Sequence, residues 1–151
     1  MNKKNKLVML IATLIIVLLL AACTQAATPT PDDSIQNIVW EWESATNKIT
    51  GEVTTVTNPE NYSITFNADG TLVGKADCNN FNGTYSQENG FTIKISSSTM
   101  AYCGDTSLDQ QYLSLLSSVA AGGTDGSGGL ALETAGGEQR MLFKDGGPAT
   151  K

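Results

Sequence analysis

Between residues 62 and 95, two runs alternate between apolar and polar side chains with a period of two, and turn residues separate the strand-like segments. Tyr62, Ile64 and Phe66 alternate with Ser63 and Thr65. Asn67-Ala68-Asp69-Gly70 then supplies a hairpin turn, and residues 71–76 return as the partner strand. Further on, Gln87-Glu88-Asn89-Gly90 forms a second turn, and Phe91, Ile93 and Ile95 alternate with Thr92 and Lys94. One wet face and one buried face, joined by tight turns, specify an antiparallel meander. In its middle lies Cys78-Asn79-Asn80-Phe81-Asn82-Gly83-Thr84-Tyr85. Asn and Gly tolerate left-handed backbone, so residues 79–83 are expected to turn the chain, with Phe81 anchored inward and a strand resuming at Gly83.

The period then changes. From residue 105 to 120, Leu108, Tyr112, Leu115, Leu116 and Val119 form one apolar stripe at helical spacing. Ser107-Leu108-Asp109-Gln110 reads as a capping box, and Gly122-Gly123 as the helix stop. The glycine-rich residues 122–129 lack the Lys-Ser/Thr of a phosphate loop and read as a flexible connection. Leu130-Ala131-Leu132 and Met141-Leu142-Phe143 close the sheet around Gly136-Gly137, and residues 145–151 are expected to be a disordered tail. Upstream, Ile38, Trp40 and Trp42 share one face of a strand, where the tryptophans fill a core in preference to stacking a planar ligand. Residues 44–61 read as a long loop or irregular hairpin. The expected fold is α+β: an antiparallel, strongly curved sheet or open β-barrel with one packed α-helix, over residues 35–144.

The front of the chain is of another kind. Lys3, Lys4 and Lys6 precede fourteen residues, 7–20, broken only by Thr13. That is the length of a signal-peptide apolar region, short of the ~20 residues of a spanning helix. Leu20-Ala21-Ala22-Cys23 follows and resembles a bacterial lipobox, so residues 1–22 are expected to be removed and Cys23 to carry diacylglycerol. Acyl chains contribute about 0.8 kcal/mol per buried methylene, enough with two or three chains for stable anchoring. Residues 23–34 contain two prolines and two acids without apolar periodicity, and read as a disordered tether. The chain has nine basic and fifteen acidic residues. Loss of the three leader lysines leaves six against fifteen, a net of −9. That balance opposes nucleic acid and electrostatic docking on anionic headgroups.

Taken together, a Trp near the start, strand-Asp-Gly-strand, Cys-Asn-x-Phe-x-Gly-x-Tyr, Thr99-Met100-Ala101-Tyr102-Cys103, one helix and two closing strands resemble the META domain, the HslJ-like family of small envelope proteins. The resemblance implies structural roles for Asn79, Phe81, Gly83, Tyr85, Thr99 and Met100. It implies an envelope protein without catalytic activity, linked to stress response or antibiotic tolerance. With Cys23 assigned to acylation, Cys78 and Cys103 remain to pair in an oxidising compartment, and both fall where the family pattern has cysteine. Such a bridge is expected to be structural rather than redox-active.

With no histidine in the chain, Ser-His-Asp and Cys-His mechanisms are excluded. Two cysteines without histidine make a poor zinc site, and no cofactor or metal is expected. Asp77 with Asp105 is the pair on which a carboxylate-based hydrolase would rest. A carrier holding a small apolar ligand between sheet and helix is a further alternative. The favoured reading is a non-catalytic, membrane-tethered binding or envelope-maintenance module on the extracytoplasmic side of a bacterial membrane. Its expected partners are that membrane, through the anchor, and an envelope protein.

Overall fold

A computed structural model describes residues 34–150; Cys23, the leader and the tether up to residue 33 lie outside the described residues. The strands, in chain order, are β1 (Ile38–Asn47), β2 (Val53–Thr55), β3 (Tyr62–Phe66), β4 (Thr71–Ala76), β5 (Asn79–Ser86) and β6 (Thr92–Ser98). One helix, α1 (Asp109–Ser117), precedes β7 (Val119–Thr124), β8 (Leu130–Thr134) and β9 (Gln139–Pro148).

The strands form one antiparallel sheet in the order β6-β5-β4-β3-β1-β9-β8-β7, with β2 beside the second half of β1. The sheet curls into a half-barrel. Where its two ends approach, the Phe91 N–H donates to Ala120 O at 3.0 Å. Register shifts in the β1–β9, β5–β6 and β7–β8 pairs mark bulges, which sharpen the local twist and help the sheet curl. The helix packs against β4 and β6. Among the described residues, no helix is long and apolar enough to cross a membrane.

The meander follows the period-two reading. Ile64 and Phe66 of β3 and Leu72 and Ala76 of β4 all point into the core. Both turns form as their residues dictate: Gly70 and Asn89 adopt φ of 82° and 57°. Trp40 and Trp42 are buried, their indole N–H groups donating to Ile35 O and Ser44 O at 2.9 and 2.8 Å. Trp42 stacks on Tyr112 of α1, with ring centroids 5.0 Å apart, and Tyr62, Phe81 and Phe143 surround the same ring.

Several expectations are corrected. Residues 79–83 do not turn the chain: Asn79 opens β5 directly opposite Ala76, and the turn is only Asp77-Cys78, with Asp77 at φ 57°. The helix spans 109–117 and not 105–120. The capping box is not made, because Leu108 occupies the cap position; Ser107 Oγ accepts from Asp109 N at 3.3 Å, and Leu108 N–H donates to Tyr62 Oη at 2.9 Å. Gly122 and Gly123 do not stop the helix, because Val119 is buried and its chain continues as β7, pairing with β8. Finally, residues 145–148 complete β9, with Ile38 paired to Pro148 and the Ala149 N–H on Asn37 O.

The glycine-rich connection also divides in two. Residues 122–124 are strand, and residues 125–129 form a built turn. There the Asp125 carboxylate accepts from Ser127 N, Ser127 Oγ and Gly129 N at 2.8–2.9 Å. Those bonds hold its pKa below the usual carboxylate range.

Candidate interaction surface

Alternation along β5 puts Asn79, Phe81 and Gly83 on the inward face. Phe81 lies across Gly74 of β4, where an added Cβ would meet its ring at 2.2 Å. At Gly83 the requirement is close approach and not left-handed backbone: a Cβ there would lie 2.0 Å from Lys94 O of β6. Tyr85 lies toward the other end of β5, donating to Asn67 O and accepting from Gln36 Nε2, both at 2.9 Å.

Asn79 is the inward residue nearest the Asp77-Cys78 turn, and it is 2% exposed. A buried amide needs partners on both of its atoms. Its Oδ1 accepts from Thr99 Oγ1 at 2.9 Å and from Ala101 N at 2.8 Å. Its Nδ2 faces Ala101 O at 3.0 Å, Asp109 Oδ2 at 3.1 Å and Cys103 Sγ at 3.2 Å. One side chain therefore ties β5, the segment 99–103 and the start of α1. Thr99 is also bonded to the Asn80 backbone, and Cys78 and Cys103 are joined by a disulfide with Cα atoms 5.5 Å apart.

The segment is thus held at Thr99, Ala101 and Cys103. In an extended segment the intervening side chains must point the other way. They do: Met100 is 95% exposed and Tyr102 80% exposed. Tyr102 donates its hydroxyl proton to Asp105 Oδ1, and this bond raises the Tyr102 pKa above its ordinary value. A hollow of about 430 Å³ lies beside the segment, lined by Asn79, Met100, Ala101, Tyr102, Asp109 and Leu113. A second of about 240 Å³ flanks Tyr102 and includes Asp105 and Asp109.

Asp77 lines a separate hollow with Asn61, Tyr62 and Leu108, so Asp77 and Asp105 do not share a cleft there. The helix–sheet interface is occupied by Trp42, Tyr112, Phe81, Leu116 and Phe143. Among the described residues, no group of three or more Cys, Asp or Glu could hold a metal ion. Outside the half-barrel, a shallow hollow of about 580 Å³ is lined by Val39, Ser63, Thr65, Val73, Asn80 and Asn82.

The structure brings Asn79 and Thr99 into one hydrogen-bond cluster and leaves Met100 exposed beside it; the sequence motifs did not single out Tyr102, Asp109 or the bonding of the Asn79 amide. The available signal was the alternation through Thr99-Met100-Ala101-Tyr102-Cys103, which puts the cysteine on the anchored side.

The META domain family model matches residues 33–146. A crystal structure of a DUF4847 family protein from Bacteroides vulgatus is similar at a TM-score of 0.56 and 15% identity, covering 75% of this chain and 95% of that one. An NMR structure of a protein from Burkholderia xenovorans is similar at 0.59 and 16% identity, covering 82% and 95%. At such identities the likeness concerns the fold alone. No curated protein matches the chain.

Proposed function

Because the chain belongs to the META domain family, the HslJ-like proteins, we propose that it is a non-catalytic, lipid-anchored module of the bacterial cell envelope. In this reading Cys23 carries the anchor, and the segment 99–105 engages an envelope protein. The observation that carries the binding role is the exposure of Met100 and Tyr102 on a backbone fixed at each intervening residue. Met and Tyr are enriched at interfaces, and pre-ordering removes part of the entropic cost of association. The packed aromatic interface between helix and sheet favours this role over that of a carrier. The placement of Asp77 and Asp105 in different hollows favours it over a hydrolase. The family resemblance extends the proposal to stress response or antibiotic tolerance.

Two measurements test it. In bacteria fed labelled fatty acid, the wild type should take up label and Cys23→Ser should not; equal labelling removes the anchor. A photo-crosslinking amino acid at Met100 should give a discrete adduct in cells, and the same group at Val73 should not. Identical patterns from both positions would end the assignment of segment 99–105 as the binding surface.

A further inference from the structure

Strongly exposed large apolar side chains are unevenly distributed. Among the described residues they are Ile49, Val53, Val73, Met100 and Tyr102. All but Val73 lie at one end of the half-barrel. The chain enters at the other end, where Asn37 N–H bonds Phe66 O and Gln36 bonds Tyr85. From there β1 runs ten residues, about 33 Å at strand rise, before the β1–β2 hairpin that carries Ile49 and Val53. Gln111 Nε2 of α1 donates to Thr54 Oγ1 of β2 at 3.2 Å, and Asp109 of the same helix is bonded to Asn79. The start of the helix therefore sits between the hairpin and the segment 99–105, and the apolar residues share one end.

The cations near this end are already engaged: Lys48 of the hairpin and Arg140 both pair with Glu133, at 3.2 and 3.4 Å, and Lys75 Nζ donates to Asn61 Oδ1 at 2.8 Å. The three hollows around the segment 99–105 and the Asp77 turn include Asp77, Asp105 and Asp109, and among the described residues no Lys or Arg lines any of them. We infer that this end receives a protein partner through a segment in which lysine or arginine stands beside apolar residues. The inference rests on the binding reading above and adds the partner's chemistry. A second copy of the chain would bring Asp77, Asp105 and Asp109 against themselves, and like charges so placed oppose association. Anionic headgroups would be repelled in the same way. Met100 and Tyr102 would supply the desolvated centre, and the carboxylates a rim that steers encounter and weakens with salt.

The test uses the full mature chain in detergent micelles and three fluorescent synthetic peptides. These share the same leucines and differ at the polar positions, which are all Lys, all Gln or all Glu. Anisotropy should show the Lys peptide binding at least about tenfold tighter than the Gln peptide at low salt, with the difference shrinking by about 0.3 M salt. Met100→Ser and Tyr102→Ser should each weaken it about tenfold. Asp105→Asn should flatten the salt dependence, and Val73→Ser should do neither. Equal affinity for the Lys and Gln peptides overturns the inference, as does a Val73→Ser effect matching that of Met100→Ser. Crosslinks from Met100 in cells together with equal peptide binding would remove the charge preference and leave the binding reading standing. Absence of those crosslinks removes both.

Discussion

The Asn79 amide is buried at the mouth of the half-barrel, with Thr99 Oγ1 and Ala101 N both donating to its oxygen. Asn79→Ala would take the shared acceptor from the Ala101 N–H and the Thr99 hydroxyl while keeping the disulfide. Stability should fall by about 2–3 kcal/mol, measured by urea unfolding of the oxidised protein, with faster amide exchange at Ala101. A loss below 0.5 kcal/mol on that scale would mean water replaces the amide. Tyr112 poses the opposite case. Its ring is fully packed, yet its hydroxyl is buried with no hydrogen-bond partner among the described residues. Tyr112→Phe should therefore raise stability by about 1 kcal/mol at neutral pH; a clear loss would mean that the hydroxyl does find a partner. Burial also pushes the Tyr112 pKa well above 10. The native state then keeps a proton that the unfolded phenol loses. The corresponding stability is intact below the unfolded pKa of about 10 and is lost as pH rises above it, toward the folded value. The phenylalanine variant should show a flatter alkaline limb in urea midpoints against pH.

At the scale of elements, four glycines in strands separate by their neighbours. Gly83→Ala would drive a Cβ into Lys94 O at 2.0 Å, and Gly74→Ala into the Phe81 ring at 2.2 Å. Each should cost about 1–3 kcal/mol by overpacking. Gly122 faces a similar contact, 2.4 Å from Leu132 Cδ2, whereas Gly123 has nothing within 4 Å. Gly123→Ala should be neutral or stabilise by up to about 1 kcal/mol, because it restricts the unfolded chain in a conformation Ala can adopt. Thermal unfolding of the four variants orders them. If Gly123→Ala proved as harmful as Gly122→Ala, steric contact would not be the discriminating cause. This pair also explains why the helix stop was misread. Two glycines after an apolar stripe look the same in sequence whether they cap a helix or let a neighbouring leucine lie on a strand.

For the whole molecule, the Cys78–Cys103 bond spans 25 residues and restrains the unfolded chain. Replacing both cysteines with serine should lower stability by about 2–4 kcal/mol. The fold should persist, because Asn79 still bonds Thr99, Ala101 and Asp109; a collapse of the β-sheet circular dichroism signal would contradict that division of labour. The sequence by itself determined what depends on near neighbours along the chain. Alternation fixed which faces of β3 and β6 are buried, and Asp-Gly and Asn-Gly fixed the turns between strands. The combination of Cys78-Asn79-x-Phe81-x-Gly83-x-Tyr85 with Thr99-Met100 identified the family and hence the α+β class. Tertiary structure decided the rest. The insertion of β1 between β3 and β9, the end of α1 at Ser117 and the strand carried by residues 145–148 each depend on partners distant in sequence. So does the exposure of Met100 and Tyr102. An apolar residue's destination follows from its own chemistry only when its backbone is free to turn it inward. Here Asn79 and the disulfide hold the backbone from the other side, and the two side chains have nowhere to point but out.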